Sequence, residues 1–393
     1  PPREVAARVT TVAANATRAR YLALASDPSA TEIARAAAAE AAALAYAPLT
    51  ARTQLALGAA LETDRSTQKT KAPVEAYRAA SDAALSAGDD VMFVEAFARE
   101  LFAASRRGHE RVPELVAALS FVRAIGKRTG DRGGFARALL YNNAGTQRMA
   151  AGDPAGALAW LREARTALDE HPYGVELWAI LGNLAMVVTD HGERDALFAA
   201  ESVQFERVLG PDHPLTLSAR LRAAAFVDDP HESSVRLAET CRTWLARHPQ
   251  RRDKVASCHY ELGWLAVQRD DTAAAIAAFR TVTSQADSTA NNQLALAELA
   301  RLGGDPHRAI GLATIVAASI KRRDGWWDLV PRIDAWLTIA AAYHALANDR
   351  AALAALDRAR SMTLHPLLSH PVTPVQRRRA RVTTLLAIAT LVW

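Results

Sequence analysis

Cysteine is nearly missing from this chain, which has two in 393 residues, Cys241 and Cys258. They fall in different expected helices, so they give no disulfide framework and no paired metal spacing. A reducing cytoplasm is the expected compartment. Lysine occurs only at Lys69, Lys71, Lys127, Lys254 and Lys321, so almost all of the positive charge is arginine. The formal charge of +5 is mild, and the arginines are scattered apart from Arg377-Arg378-Arg379-Ala380-Arg381. A nucleic-acid binder gathers its charge on one face, so nucleic acid is not an expected partner. Aromatics make up only 6% of the chain, and period-two runs of Val, Ile and Thr that would read as strands are hard to find. Uncharged apolar runs such as Leu385 to Trp393 fall far short of the ~20 residues that span a bilayer. The chain opens Pro1-Pro2 without Met, and no charged segment followed by an apolar one marks a signal peptide. The missing Met points to a piece of something longer.

Alanine dominates what is present, within a chain that is 50% hydrophobic. Alanine is the best helix former and lets helices approach closely. Helices are expected at 5–25, from Ser29 or Thr31 (either of which can cap) to about Tyr46, and at 49–61. Residues 62–71, ETDRSTQKTK, are polar and without periodicity, so they form a longer loop or soft boundary. Further helices are expected at about 73–87, 90–106, 112–128 and 133–150. They are separated by Gly88-Asp89-Asp90, Arg107-Gly108-His109 and Thr129-Gly130-Asp131, each a Gly stop followed by a polar start.

From there a period emerges. A tetratricopeptide repeat is a helix pair of about 34 residues, with a small residue where the two helices touch, a Gly or Asn stop, and two later alanines. Gly145, Gly152, Ala157 and Ala164 fit those places, as do Gly263, Asp270, Ala275 and Phe279. Ala297, Gly304 and Ala309 fit, and Ala340, Ala352 and Ala359 continue the pattern. A repeat containing Ala185 and Gly192 also fits, with its second helix expected to be about one turn short. The fold class expected is all-α, a right-handed superhelical solenoid of antiparallel helix pairs. Irregular helices occupy 1–61, the polar loop 62–71, degenerate repeats 72–134, the regular array 135–365 and a capping helix 366–393.

The turn GPDHP at 210–214, with Asn142-Asn143-Ala144-Gly145 and Gly182-Asn183-Leu184-Ala185, resembles the kinesin-light-chain type of tetratricopeptide repeat. Leu221-Arg222-Ala223-Ala224 departs from it by losing both Asn. The order of features resembles the C-terminal region of myxobacterial-type serine/threonine protein kinases. The matching features are the Ala42 to Leu49 segment, the 210–214 turn, YELGWLA at 260–266, Gly325-Trp326-Trp327 and an Arg-rich last helix. That resemblance implies a bacterial signalling protein whose helical region serves protein contacts. Similar repeats occur as sensors in signalling ATPases. No kinase motif is present in this chain.

A search for chemistry finds little. Gly126-Lys127 lacks the upstream Gly of a phosphate loop and reads as a helix end. His231-Glu232 lacks the second His of a zinc helix and reads as a cap. His365 and His370 have no acidic or thiol companions, and His213 before Pro214 reads as a turn-fixing residue. No catalytic residue, metal site or cofactor is expected. Asn142, Asn143 and Asn183 fall on first helices of repeats. There an amide can bond an extended peptide's backbone, or alternatively bond the neighbouring repeat. Arg148, Arg220 and Arg222 would add charge for an acidic segment. Trp326-Trp327 is an expected exposed pair. The function expected is a non-catalytic interaction scaffold that takes a peptide or protein segment in its groove. The alternative is a sensor domain of a signalling ATPase that binds a small molecule or controls oligomerisation. An exposed array end would also allow self-association.

Overall fold

The computed structural model describes residues 3–25, 27–64, 66–67, 70–170, 174–285, 290–319, 326–364, 378, 380–383 and 385–386. It is all-α, with no strand among the described residues, and consecutive helices pack as antiparallel neighbours in tetratricopeptide-type repeats. The chain divides into two compact units, residues 1–148 with 155–180, and residues 149–154 with 181–393. The expected Trp326-Trp327 pair has side chains outside the described set, and His365 and His370 lie outside it altogether.

In the first unit, α1 (Ala6–Leu24), α2 (Ala30–Leu44) and α3 (Ala47–Thr63) pack through alanines: Ala19, Ala23, Ala30, Ala34 and Ala60 form one buried cluster. Side chains this small bring backbones close, and Leu22, Ile33 and Leu57 fill around them. Neither Ser29 nor Thr31 caps α2. Asp27 instead accepts from Ser29 N–H at 2.8 Å and from its hydroxyl at 2.6 Å, closing the turn before the helix begins. The polar loop is organised the same way: Asp64 accepts from Ser66 N–H at 2.8 Å, and the Thr67 hydroxyl donates to the Leu61 carbonyl at 2.9 Å.

Four more long helices follow, α4 (Ala72–Ser86), α5 (Asp90–Arg107), α6 (Val112–Arg128) and α7 (Gly134–Ala150), then α8 (Pro154–Glu170). Asp89 caps α5 by accepting from Met92 N–H at 3.0 Å, and Gly108 closes it at φ 56°. Lys127 sits at the end of α6, as a helix-end residue should. A ladder of charge ties distant parts together. Arg20 of α1 meets Glu95 at 2.7 Å, Glu95 meets Arg99 at 3.0 Å, and Arg99 meets Glu176 at 2.5 Å. Burial pushes the Glu95 carboxyl up, but Arg20 and Arg99 outweigh it and hold the group below its usual range.

The second unit holds most of α9 (Ala179–Ala185), then α10 (His191–Leu209), α11 (Pro214–Ala225) and α12 (Pro230–Arg247). It continues through α13 (Arg252–Gln268), α14 (Thr272–Ser284), α15 (Ala290–Leu302), α16 (Pro306–Ser319), α17 (Trp326–Ala345) and α18 (Asp349–Thr363). The repeat with a short helix differs from expectation. Its first helix, α9, has 7 residues and its second, α10, has 19. The buried run Met186, Val187, Val188 ends α9 early, and Gly192 lies inside the first turn of α10 rather than in the connection. Asp190 caps that helix, and Asp229, not His231, caps α12 by accepting from Glu232 N–H at 2.7 Å.

The cysteines also depart from expectation. Cys241 of α12 and Cys258 of α13 are both fully buried and form a disulfide, with Cα atoms 5.6 Å apart. The antiparallel hairpin brings together two residues that sequence spacing leaves unrelated. The bridge joins successive repeats through the interior of α12 and α13.

Candidate binding groove

A cleft in the second unit is built on α11, which is shorter than the helices on either side of it. α11 has 12 residues against 19 in α10 and 18 in α12. The flanking helices therefore stand beyond it as walls. Its start is fixed by local chemistry. Gly210 ends α10 at φ 88°, a left-handed conformation that glycine takes without strain. Pro214 occupies the first turn of α11, where it loses no needed donor. His213 Nδ1 accepts from Leu215 N–H at 3.2 Å, and Thr216 donates to the Gly210 carbonyl at 2.9 Å. His248 Nε2, at the end of α12, donates to the Asp212 carbonyl at 2.6 Å and pins the same turn from outside. Burial, and then the nearby His248, lower the His213 pKa, so the imidazole stays neutral and able to accept.

The cavity between the walls is about 730 Å3. Phe198, Ala223, Ala224 and Val227 give it an apolar floor, and Phe226 packs on Phe198 with ring centroids 5.0 Å apart just beneath. Its rim carries both signs of charge: Asp195, Glu232 and Glu239 against Arg220 and Arg236. Val203, on the α10 wall, is 59% exposed. Arg220 also reaches Glu206 at 2.8 Å, and Arg236 pairs with Glu232 one turn away.

The residues expected to line a groove are distributed differently. Arg220 lines this cavity. Arg222, two residues on, turns to the other side of α11 and pairs with the fully buried Glu201 of α10. Burial raises the Glu201 carboxyl and Arg222 only partly offsets this. Gly182 of α9 leaves the space that this carboxylate occupies. Asn183 is half-buried on α9 and Arg148 half-buried on α7. Asn143 is buried and donates to the Ala98 carbonyl of α5 at 2.8 Å, while Asn142 donates to Asn143 at 3.0 Å. Asn143 thus bonds across from α7 to α5, and Asn142 bonds Asn143 on its own helix.

Sequence reasoning missed a second polar cluster on first helices of the later repeats. Asp334 of α17, fully buried, accepts from the Tyr260 hydroxyl of α13 at 3.0 Å and is held by Arg378 at 2.6 and 2.9 Å. The clue was available: Asp334 sits between Ile333 and Ala335 in an apolar helix, and a carboxylate buried there needs a partner. Arg378 comes from the arginine run that looked like a surface feature.

No group of three or more His, Cys, Asp or Glu side chains among the described residues could hold a metal ion. No helix among them is long and apolar enough to cross a membrane.

No protein-family profile matches the sequence, and no curated protein matches it. Solved structures do resemble it. A Rap protein in complex with competence and sporulation factor superposes with a TM-score of 0.52 at 12% identity, over 87% of this chain and 99% of that one. The Cut9–Hcn1 hetero-tetramer of the APC/C gives 0.43 at 12% identity, over 96% and 89%. A circular tandem repeat protein gives 0.21 at 13% identity, over 98% of each. The first likeness supports the helical-repeat fold reached above from the helices themselves.

Proposed function

We propose that this chain is a non-catalytic interaction module that takes a segment of a protein partner into the cleft over α11. The observation that carries the reading is the cleft itself: about 730 Å3, apolar at its floor and charged with both signs at its rim. An apolar floor rewards burial of a side chain such as Leu or Phe, and rim charges fix the register of what binds. A wall of packed repeats is already ordered, so the ordering cost of binding falls mainly on the partner. The Rap protein was solved in complex with a factor it binds, and the same class of role suits this fold. Arg220 is the anchor we assign to an acidic group on the partner. Arg222 chiefly holds the buried Glu201 carboxylate, and Asn142 and Asn143 chiefly position α7.

The turn at 210–214 and the arginine-rich segment near 378 are similar to those of helical regions that follow bacterial serine/threonine kinase domains. In such a setting, capture of a partner would report its presence to the kinase or deliver a substrate. The test is a filled cleft. Ala223→Trp places a large ring on the floor without altering a fully buried position. It should abolish recovery of the partner in quantitative affinity purification while the helical circular dichroism stays native. Undiminished recovery by a folded Ala223→Trp chain would show that the partner binds elsewhere.

A further inference from the structure

The described residues between 378 and 386 are helical, and their exposure has a clear sidedness. Arg378 and Val382 are buried, Arg381 and Leu385 are half-buried, and Ala380 and Thr383 are exposed. Positions 378, 381, 382 and 385 follow the i, i+3, i+4, i+7 spacing of one helix face. That face meets α13 and α17. Arg378 makes two bonds to Asp334 of α17 and lies 3.5 Å from Glu261 of α13. The Arg381 guanidinium lies 5.6 Å from the ring centre of Trp264, also on α13. Tyr260 adds its hydroxyl to the same Asp334. Glu298 of α15 contributes a nearby negative charge to Arg381.

Asp334 sets the chemistry of whatever occupies this face. It is fully buried, and a buried carboxylate stripped of its cation carries a large desolvation cost. An occupant that replaces the 378–386 segment must therefore bring an arginine of its own to the same place. A lysine would supply charge without the two-pronged geometry that Arg378 uses.

We propose that the face formed by α13, α15 and α17 is a receptor for a helical segment bearing Arg at i and i+3 with aliphatic residues at i+4 and i+7. In the isolated chain its own residues 378, 380–383 and 385–386 occupy that receptor. A partner with the same pattern binds by displacing the internal copy, so the internal copy sets the threshold for binding. This surface shares no residue with the cleft over α11, so its failure would leave the reading of that cleft intact.

The test uses the full chain and a fluorescein-labelled synthetic peptide spanning residues 376–388, followed by anisotropy. The Arg378→Gln/Arg381→Gln chain, with its internal segment released, should bind the peptide at least tenfold more tightly than the unaltered chain. A peptide carrying Arg378→Gln should lose at least tenfold on the same receptor, and so should a receptor that also carries Asp334→Asn. Equal affinity for released and unaltered chains, or no binding to a folded released chain, would overturn the proposal. If the double variant does not fold, hydrogen exchange on the unaltered chain decides. Excess peptide should speed exchange of the amides of residues 380–383, and unchanged protection would show a permanent structural cap.

Discussion

Gly263 of α13 lies against the ring of Phe279 of α14 so closely that a Cβ on the glycine would stand 2.5 Å from the ring edge. Gly145 stands in the same relation to Leu161 across α7 and α8, at 2.6 Å. These are the positions where a repeat needs a small residue for its two helices to touch. Ala at Gly263 or Gly145 should therefore cost stability by overpacking, about 1–3 kcal/mol. Gly311, inside α16, has nothing within 4 Å of the corresponding point. Ala there should stabilise by about 0.5–1 kcal/mol through helix propensity alone. Urea unfolding of the three variants checks the opposite signs.

The cap on α11 should make stability depend on pH. His213 accepts a hydrogen bond from Leu215 N–H, so its Nδ1 must be unprotonated. Burial and His248 depress its folded pKa below the unfolded value near 6.5. The native state then binds this proton less readily than the unfolded chain does. The cap's contribution is present above pH ~6.5 and is lost as pH falls through the folded value. Thermal midpoints measured at pH 7.5 and pH 5.5 should fall with acid. They should fall less for His213→Asn, whose side chain caps without titrating.

Acid should act on the first unit at a lower pH. The carboxyl of Glu95 is depressed in the folded state because Arg20 and Arg99 outweigh its burial. Its stabilisation is present above the unfolded value of about 4.3 and is lost as pH falls through the lower folded value. Glu95→Gln should be less stable at pH 7 and should show a shallower decline between pH 5 and pH 3, followed by circular dichroism.

The disulfide between Cys241 and Cys258 closes a sequence separation of 17 residues, for which the chain-entropy account gives about 3 kcal/mol. A reductant should lower the unfolding midpoint of the native chain and leave that of Cys241→Ala/Cys258→Ala unchanged. A thiol assay in denaturant without reductant should find no free thiol.

Most helix limits were legible because local chemistry writes them. Gly88 and Gly108 take positive φ where the pattern stops, and Asp89 caps the helix that follows. What was not legible depends on residues far apart in the chain. Cys241 and Cys258 become partners only when α12 and α13 fold back on each other. Asn143 could read either as a peptide-binding amide or as one that bonds a neighbouring repeat, and only the approach of α5 shows that it bonds the Ala98 carbonyl. Arg378 reads as one of a basic run until α17 presents Asp334, 44 positions away in sequence. The early end of α9 was missed because Gly192 looked like the turn. The cleft itself follows from α11 being shorter than its flanks, and of the six residues expected in a groove it includes Arg220.

The central claim is that the cleft over α11 holds a segment of another protein. The most direct measurement places a photo-crosslinking amino acid at Val203, exposed on the cleft wall, and in a control chain at Leu85, exposed in the first unit. After irradiation in cells, the account predicts a discrete polypeptide adduct from Val203, lost when Ala223→Trp fills the floor, with none from Leu85. An adduct of equal yield at both positions, or one indifferent to Ala223→Trp, would contradict it.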